Sequence, residues 1–401
     1  ALEASPNQGQ YWLSYIDALM QTGQTDAARQ VLEQGRQRGL QGEAVEALVG
    51  KFEVSSGGEP SPQEINTLAA LFTEGQYTEA ATLAQTMTVR FPEHGFGWKA
   101  LGAVFKQMGR SVDALVPMQK AAALSPGDAN AHSNLSITLQ ELGRLDEAEA
   151  NYRRALQIKP DYAEAHNNLG ITLKDLGRPD EAEASYRRAL QIRPDFAEIH
   201  YNLGITLKDL GRLDEAEASY RRALEIKPDY AEAHNNLGST LKDLGRLDEA
   251  EASYRRSLQI KPDYAEAHNN LGSTLHDLGR LDEVEVSYRR ALQIKPDFTD
   301  ALYNLALLFN AQGKFMMALS TIKQSLQIKE TGEAKSIFVA CVKRLHCIPL
   351  DDSEIRVAMF RALTEPWGRP KDLALIGIEL VKLNPDIGGC VARAAYTWPL
   401  R

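Results

Sequence analysis

The 401-residue chain contains no run of eighteen apolar residues, which excludes a membrane-spanning helix. Cysteine is scarce. Cys341, Cys347 and Cys390 are the three present, all near the C-terminus, at spacings that match no common metal or redox motif. They read as reduced thiols of a cytosolic protein, so the expected location is cytoplasmic. A basic excess is missing too. With 45 Lys and Arg against 54 Asp and Glu, the formal net charge is −9, a poor balance for a nucleic-acid partner. No G-x-S-x-G, H-E-x-x-H or P-loop sequence occurs. GFGWKA at 95–100 fits G-x-G-x-x-A, yet it opens a helix after a helix and not after a strand. No catalytic constellation is visible, and no cofactor or metal is implied.

What the chain has is repetition. Pro92, Pro126, Pro160, Pro194, Pro228, Pro262 and Pro296 recur 34 residues apart. The segment AEAHNNLGITLKDLGRPDEAEASYRRALQIRPDF at 163–196 returns with few changes at 197–230, 231–264 and 265–298. A chain built this way is a solenoid, because each repeat buries its apolar face only against its neighbours. With Ala163 as position 1, apolar or small residues fall at positions 7, 8, 11, 20, 24 and 27, and proline at 32. That spacing predicts a helix A through HNNLGITLKDLG and a helix B through DEAEASYRRALQI. Gly170 and Ala182 fall where the two helices approach, and Gly177 suits the left-handed residue that closes helix A. Asp180 with Glu183 reads as a capping box for helix B, and Pro179 suits its start. Pro117 lies inside a helix B, where a local kink is expected.

In the repeat that begins at residue 95, the patterned positions are Trp98, Leu101, Gly102, Phe105, Ala114, Met118, Ala121 and Pro126. This resembles the tetratricopeptide repeat. The resemblance runs through eight contiguous repeats at 61–332, and a divergent one fits 9–42 through Trp12, Tyr15, Leu19, Ala28 and Leu32. It implies an all-α fold, a right-handed α-solenoid superhelix of stacked helix-turn-helix units. Residues 1–54 then form the divergent N-terminal unit with an extra helix at 43–53, and SSGGEPSP at 55–62 is a linker. Residues 333–401 form a non-repeating helical tail. Its first segment, GEAKSIFVACVKRLH, is apolar around much of its circumference, so something should pack on both sides of it. Helices are expected at 353–363 and 371–383, ahead of an apolar end from Val391 to Leu400. The EPWGRP segment at 365–370 resembles sequences that join bacterial tetratricopeptide arrays to methyltransferase domains. On that resemblance the tail leads to a missing domain; the other reading is that the tail folds onto the array.

A solenoid presents function on a surface generated by its repetition. Six asparagines recur at position 6 of helix A: Asn134, Asn168, Asn202, Asn236, Asn270 and Asn304. The ladder resembles that of O-linked N-acetylglucosamine transferase arrays, which implies that these side chains line the concave groove and grip the backbone of an extended peptide. A carboxamide supplies both a donor and an acceptor, matching the peptide's own C=O and N–H. Beside the ladder stand Asn167, Tyr201, Asn235 and Asn269 at position 5, and Lys174, Lys208, Lys242 and His276 at position 12. The other role open to the ladder is structural, bonding one repeat to the next.

Two further series are read as bland. His132, His166, His200, His234 and His268 at position 4 are packing residues, because one histidine per repeat leaves metal ligands too far apart. The arginine pairs at positions 25 and 26 form a solvated face, with a glutamate four residues before the first arginine of each pair. The expected function is a protein–protein interaction scaffold that holds a protein or peptide ligand in the groove. The alternative is the N-terminal substrate-recognition region of a larger glycosyltransferase or methyltransferase. Self-association is compatible with both. Where repeats are near-identical, specificity falls to odd positions such as Ile199, Tyr201, His276, Val284 and Val286.

Overall fold

The computed structural model describes residues 9–21, 25–37, 59–344 and 353–365, with 39, 40, 42, 45, 367, 377 and 378. Apart from positions 45, 377 and 378, the helices expected at 43–53 and 371–383 lie outside the described residues. So do linker positions 55–58, Cys347, Cys390 and the apolar end 391–400. Regular structure among the described residues is helical throughout.

The chain divides into two compact units, Ala1–Pro194 and Asp195–Arg401. In the first, Gly9–Gln21 and Thr25–Gln37 pair around a core of Trp12, Ile16, Leu19, Ala28 and Leu32. Then come the pairs Pro62–Thr73 with Tyr77–Arg90, Gly95–Gln107 with Ser111–Leu124, Ala129–Glu141 with Leu145–Ile158, and Ala163–Asp175 with Pro179–Ile192. The second unit continues the pattern with Ala197–Asp209 and Leu213–Ile226, Ala231–Asp243 and Leu247–Ile260, Ala265–Asp277 and Leu281–Ile294, and Thr299–Ala311 and Phe315–Ile328. Helices Gly332–Arg344 and Ser353–Thr364 follow. Within each unit the helices of a pair pack on each other, and from Pro62–Thr73 onward each pair packs on the next, which makes an all-α solenoid.

The predicted core positions are the observed ones. Leu237, Gly238, Leu241, Ala250, Tyr254 and Ser257 are all buried, and the same positions are buried in the neighbouring repeats. The position-8 glycine is required by the tyrosine at position 24. A Cβ on Gly170 would lie 2.6 Å from Tyr186, and one on Gly204 would lie 2.7 Å from Tyr220. Both distances are well inside van der Waals contact. Gly177 takes φ 74°, as the closure of helix A requires.

The capping box expected at Asp180 and Glu183 is not formed. Helix B starts at Pro179 with Arg178 as its cap, and no side chain caps it. The Gly177 turn brings the Arg178 amide onto the Leu173 carbonyl, so the new helix opens earlier and Asp180 falls within its first turn. Glu183 pairs with Arg187 instead, at 2.7 Å. Pro117 is accommodated within a continuous helix Ser111–Leu124.

The apolar helix Gly332–Arg344 is enclosed from two sides, as its circumference demanded. It packs against Phe315–Ile328 and Thr299–Ala311. From the tail, Trp367 meets Phe338 edge-on at 5.6 Å. Around Trp367 sit Lys335 and Arg361, 5.0 and 5.7 Å from its ring, and Glu365, which accepts from its Nε1 at 2.7 Å. The Trp367 hydrogen bond, with Arg361 and Lys335, outweighs desolvation and holds the Glu365 carboxyl at about 2. The tryptophan of the EPWGRP segment thus closes the end of the solenoid. Cys341 is buried in this cap, and burial pushes its thiol up to about 11, so it stays protonated and inert.

Candidate functional site

Helix A presents positions 5, 6 and 12 along one side of each repeat, and the amides found there bond across repeats. Asn270 Nδ2 donates to Asn235 Oδ1 at 3.1 Å, and Asn304 Nδ2 donates to Asn269 Oδ1 at 3.0 Å. Asn235 Nδ2 in turn donates to Asn236 Oδ1 at 3.2 Å, as Asn167 does to Asn168 in the first unit. Asn236 donates to the Tyr201 hydroxyl at 3.2 Å. The result is a directional chain of neutral hydrogen bonds that links position 6 of one repeat to position 5 of the repeat before it.

The two positions differ in access. Asn167, Asn235 and Asn269 are 6, 6 and 8% exposed, while Asn134, Asn168, Asn202, Asn236, Asn270 and Asn304 are half-buried. Tyr201 takes the position-5 place in its repeat and stacks obliquely on Tyr230 at 4.8 Å. Burial and the nearby Glu232 raise its hydroxyl pKa. The lysines of position 12 reach the following repeat. Lys208 pairs with Asp243 at 3.0 Å and Lys242 with Asp277 at 3.2 Å, and each also meets a serine hydroxyl, Ser239 or Ser273. Lys106 and Glu141 make the same pair in the first unit, at 2.8 Å. Lys174 and the exposed His276 occupy the same helical position in their own repeats.

The position-4 series is more than packing. His166, His234 and His268 place Nε2 3.1, 3.1 and 3.0 Å from the carbonyls of Pro160, Pro228 and Pro262. Trp98 donates its Nε1 to Pro92 at 2.8 Å in the same way. Both ring types therefore fasten the proline turn, which explains how tryptophan and histidine share a position. Burial lowers the pKa of all three histidines, against the opposing pull of the proline carbonyl. The signal was legible in sequence as an N–H donor six residues after Pro92, Pro160, Pro228 and Pro262. Among the described residues no group of three or more His, Cys, Asp or Glu could hold a metal ion. No described helix is long and apolar enough to cross a membrane.

Stacked helix pairs with a repeated polar face on one side define a helical-repeat interaction scaffold. The sequence matches the family described as Tetratricopeptide repeat over residues 127–195, 161–229, 195–263 and 229–297. Residues 127–297 are tetratricopeptide repeats. Among solved structures it is similar to the Cut9–Hcn1 hetero-tetramer of APC/C, with TM-score 0.52 and 14% identity over 74% of this chain and 59% of that one. That likeness bears on the fold. It is also similar to PilW, a type IV pilus biogenesis factor, at TM-score 0.49 and 26% identity over 52% and 97% of the two chains. YrrB, a tetratricopeptide protein, gives TM-score 0.41 and 26% identity over 46% and 96%. A comparison with curated protein sequences found no match.

Proposed function

We propose that the helix A side binds an extended polypeptide, with the position-6 carboxamides gripping its backbone. The observation that carries this reading is the state of Asn270 and Asn304. Each is half-buried and held in place by one donated hydrogen bond to the preceding repeat. A carboxamide has two N–H donors and two lone pairs, so a second donor and the oxygen remain to meet a ligand's C=O and N–H. The clasp fixes their direction before a ligand arrives, which lowers the entropic cost of binding. Asn235 and Asn269 act behind them as supports, since they are buried.

The paired design of the clasp separates support from contact. A phage-displayed random dodecapeptide library is selected on the parent chain, and the recovered peptides are titrated against two double variants. Asn270→Ala with Asn304→Ala removes clasp and contact. Asn235→Ala with Asn269→Ala removes the clasp alone. The expected result is loss of binding by about tenfold or more in the first variant and about threefold or less in the second, because each backbone contact is worth roughly 0.5–1.5 kcal/mol. Equal losses in the two would reduce the ladder to a structural role.

A further inference from the structure

The two arginines of each helix B, adjacent in sequence, have different surroundings. Those at position 25 are neutralised: Arg221 pairs with Glu217 and Glu249, and Arg255 with Glu251 and Glu283. Those at position 26 are not. Arg256 and Arg290 each donate to a glutamine oxygen, Gln259 at 3.1 Å and Gln293 at 3.2 Å. Among the described residues neither has a carboxylate partner, and both are exposed. The first unit repeats this with Arg154 on Gln157 and Arg188 on Gln191. One repeat departs from the series: Glu225 replaces the glutamine and pairs with Arg222 at 2.7 Å.

These cations border apolar clefts on the helix B side. One of 650 Å³ carries Arg290 over Leu258, Leu271, Leu275 and Val286. Another of 420 Å³ carries Arg256 with Leu224 and Leu237. Val286 is 68% exposed and stands where Ala252 stands in the repeat before it. Two unneutralised guanidinium groups one repeat apart, each beside an apolar recess, match a chain that alternates carboxylate with apolar side chains. They do not match a polyanion of even charge, because carboxylates such as Glu283 and Glu285 lie between the arginines and the whole chain carries −9.

We propose that the helix B side of residues 221–298 docks an acidic, amphipathic segment of a partner protein, with carboxylates on Arg256 and Arg290 and apolar side chains in the clefts beside them. Charge complementarity selects the partner, and the clefts supply the apolar burial. This surface is independent of the helix A reading.

The Glu225 repeat supplies the test. The probe is a fluorescein-labelled dodecapeptide of repeating Glu-Glu-Leu, with a Gln-Gln-Leu peptide and a twelve-nucleotide single-stranded DNA as controls, titrated by anisotropy. The parent chain is expected to bind the acidic peptide, more weakly as salt rises. Gln259→Glu with Gln293→Glu copies the Arg222–Glu225 pair at exposed positions and should weaken binding about tenfold with the melting temperature retained. Arg256→Gln with Arg290→Gln should do the same, and Glu225→Gln should strengthen binding about twofold. Asn270→Ala with Asn304→Ala should leave it unchanged. Equal affinity of the Gln→Glu variant and the parent would overturn the proposal. So would absence of binding to the acidic peptide, or equal binding of either control.

Discussion

The helix A and helix B sides of the same repeats are joined by different chemistry. On the helix A side the junction combines a chain of neutral hydrogen bonds, Asn270 to Asn235 to Asn236 to Tyr201, in which Asn235 is buried, with the ion pairs Lys208–Asp243 and Lys242–Asp277. On the helix B side it is ionic. Glu217 receives Arg221 from its own helix at 2.8 Å and Arg246 from the next at 2.6 Å, and Glu251 receives Arg255 and Arg280 at 2.7 and 2.6 Å. In the first unit Glu149 does the same with Arg153 and Arg178, at 2.8 and 2.6 Å. The amides are insensitive to salt and pH and carry direction. The ions are long-ranged and are screened by salt. The same repeats thus carry two junctions of different chemistry, and Arg256 and Arg290, which have no carboxylate partner among the described residues, lie on the helix B side.

The largest expected effect comes from cutting the amide side. Asn235→Ala with Asn269→Ala strands the Asn270 and Asn304 donors and should lower the unfolding free energy by about 1–2 kcal/mol per site. Urea titration at low and high salt checks this, and the loss should be the same at both. Cutting the ionic side with Glu217→Gln and Glu251→Gln should give a smaller loss that shrinks as salt rises, because the arginine partners are exposed and the pairs are partly screened. If the second loss matched the first at every salt concentration, the contrast between the two sides would fail.

Acid sharpens the same contrast. The Glu249 and Glu283 carboxyls are held below the usual 4.5, first by hydrogen bonds from Arg246 and Arg280. In Glu149 burial pushes the pKa up, and Arg178 with Arg153 outweighs it. Since the folded values lie below the unfolded ones, their contribution is fully present above pH about 4.5 and is lost as pH falls through the folded values. Melting temperature should therefore decline from about pH 4.5 downward, and a Glu249→Gln with Glu283→Gln variant should flatten that decline.

The smallest effect is expected at Tyr201. Tyr201→Asn restores the position-5 amide as acceptor for Asn236 and removes the ring contacts with Tyr230 and Tyr220 at 4.8 and 6.0 Å. The change should stay within about 1 kcal/mol, read by thermal melting, since one interaction offsets the other.

The helices, their 34-residue period, the left-handed glycine at Gly177 and the core from Leu237 to Tyr254 followed from local periodicity, because burial and helical phase recur within a single repeat. The apolar cap Gly332–Arg344 was legible for the same reason. Which polar neighbour meets which was not. Adjacent arginines such as Arg255 and Arg256 look alike in sequence, yet only the first meets carboxylates. Asn235 and Asn236 are likewise adjacent, and one is buried as a support while the other is half-open. One residue step along a helix turns the side chain by about 100°. The packing of successive helix pairs then decides whether it meets the next repeat or solvent. The sequence by itself determined the repeating fold, and tertiary contact alone assigned its amides and charges to junction or surface.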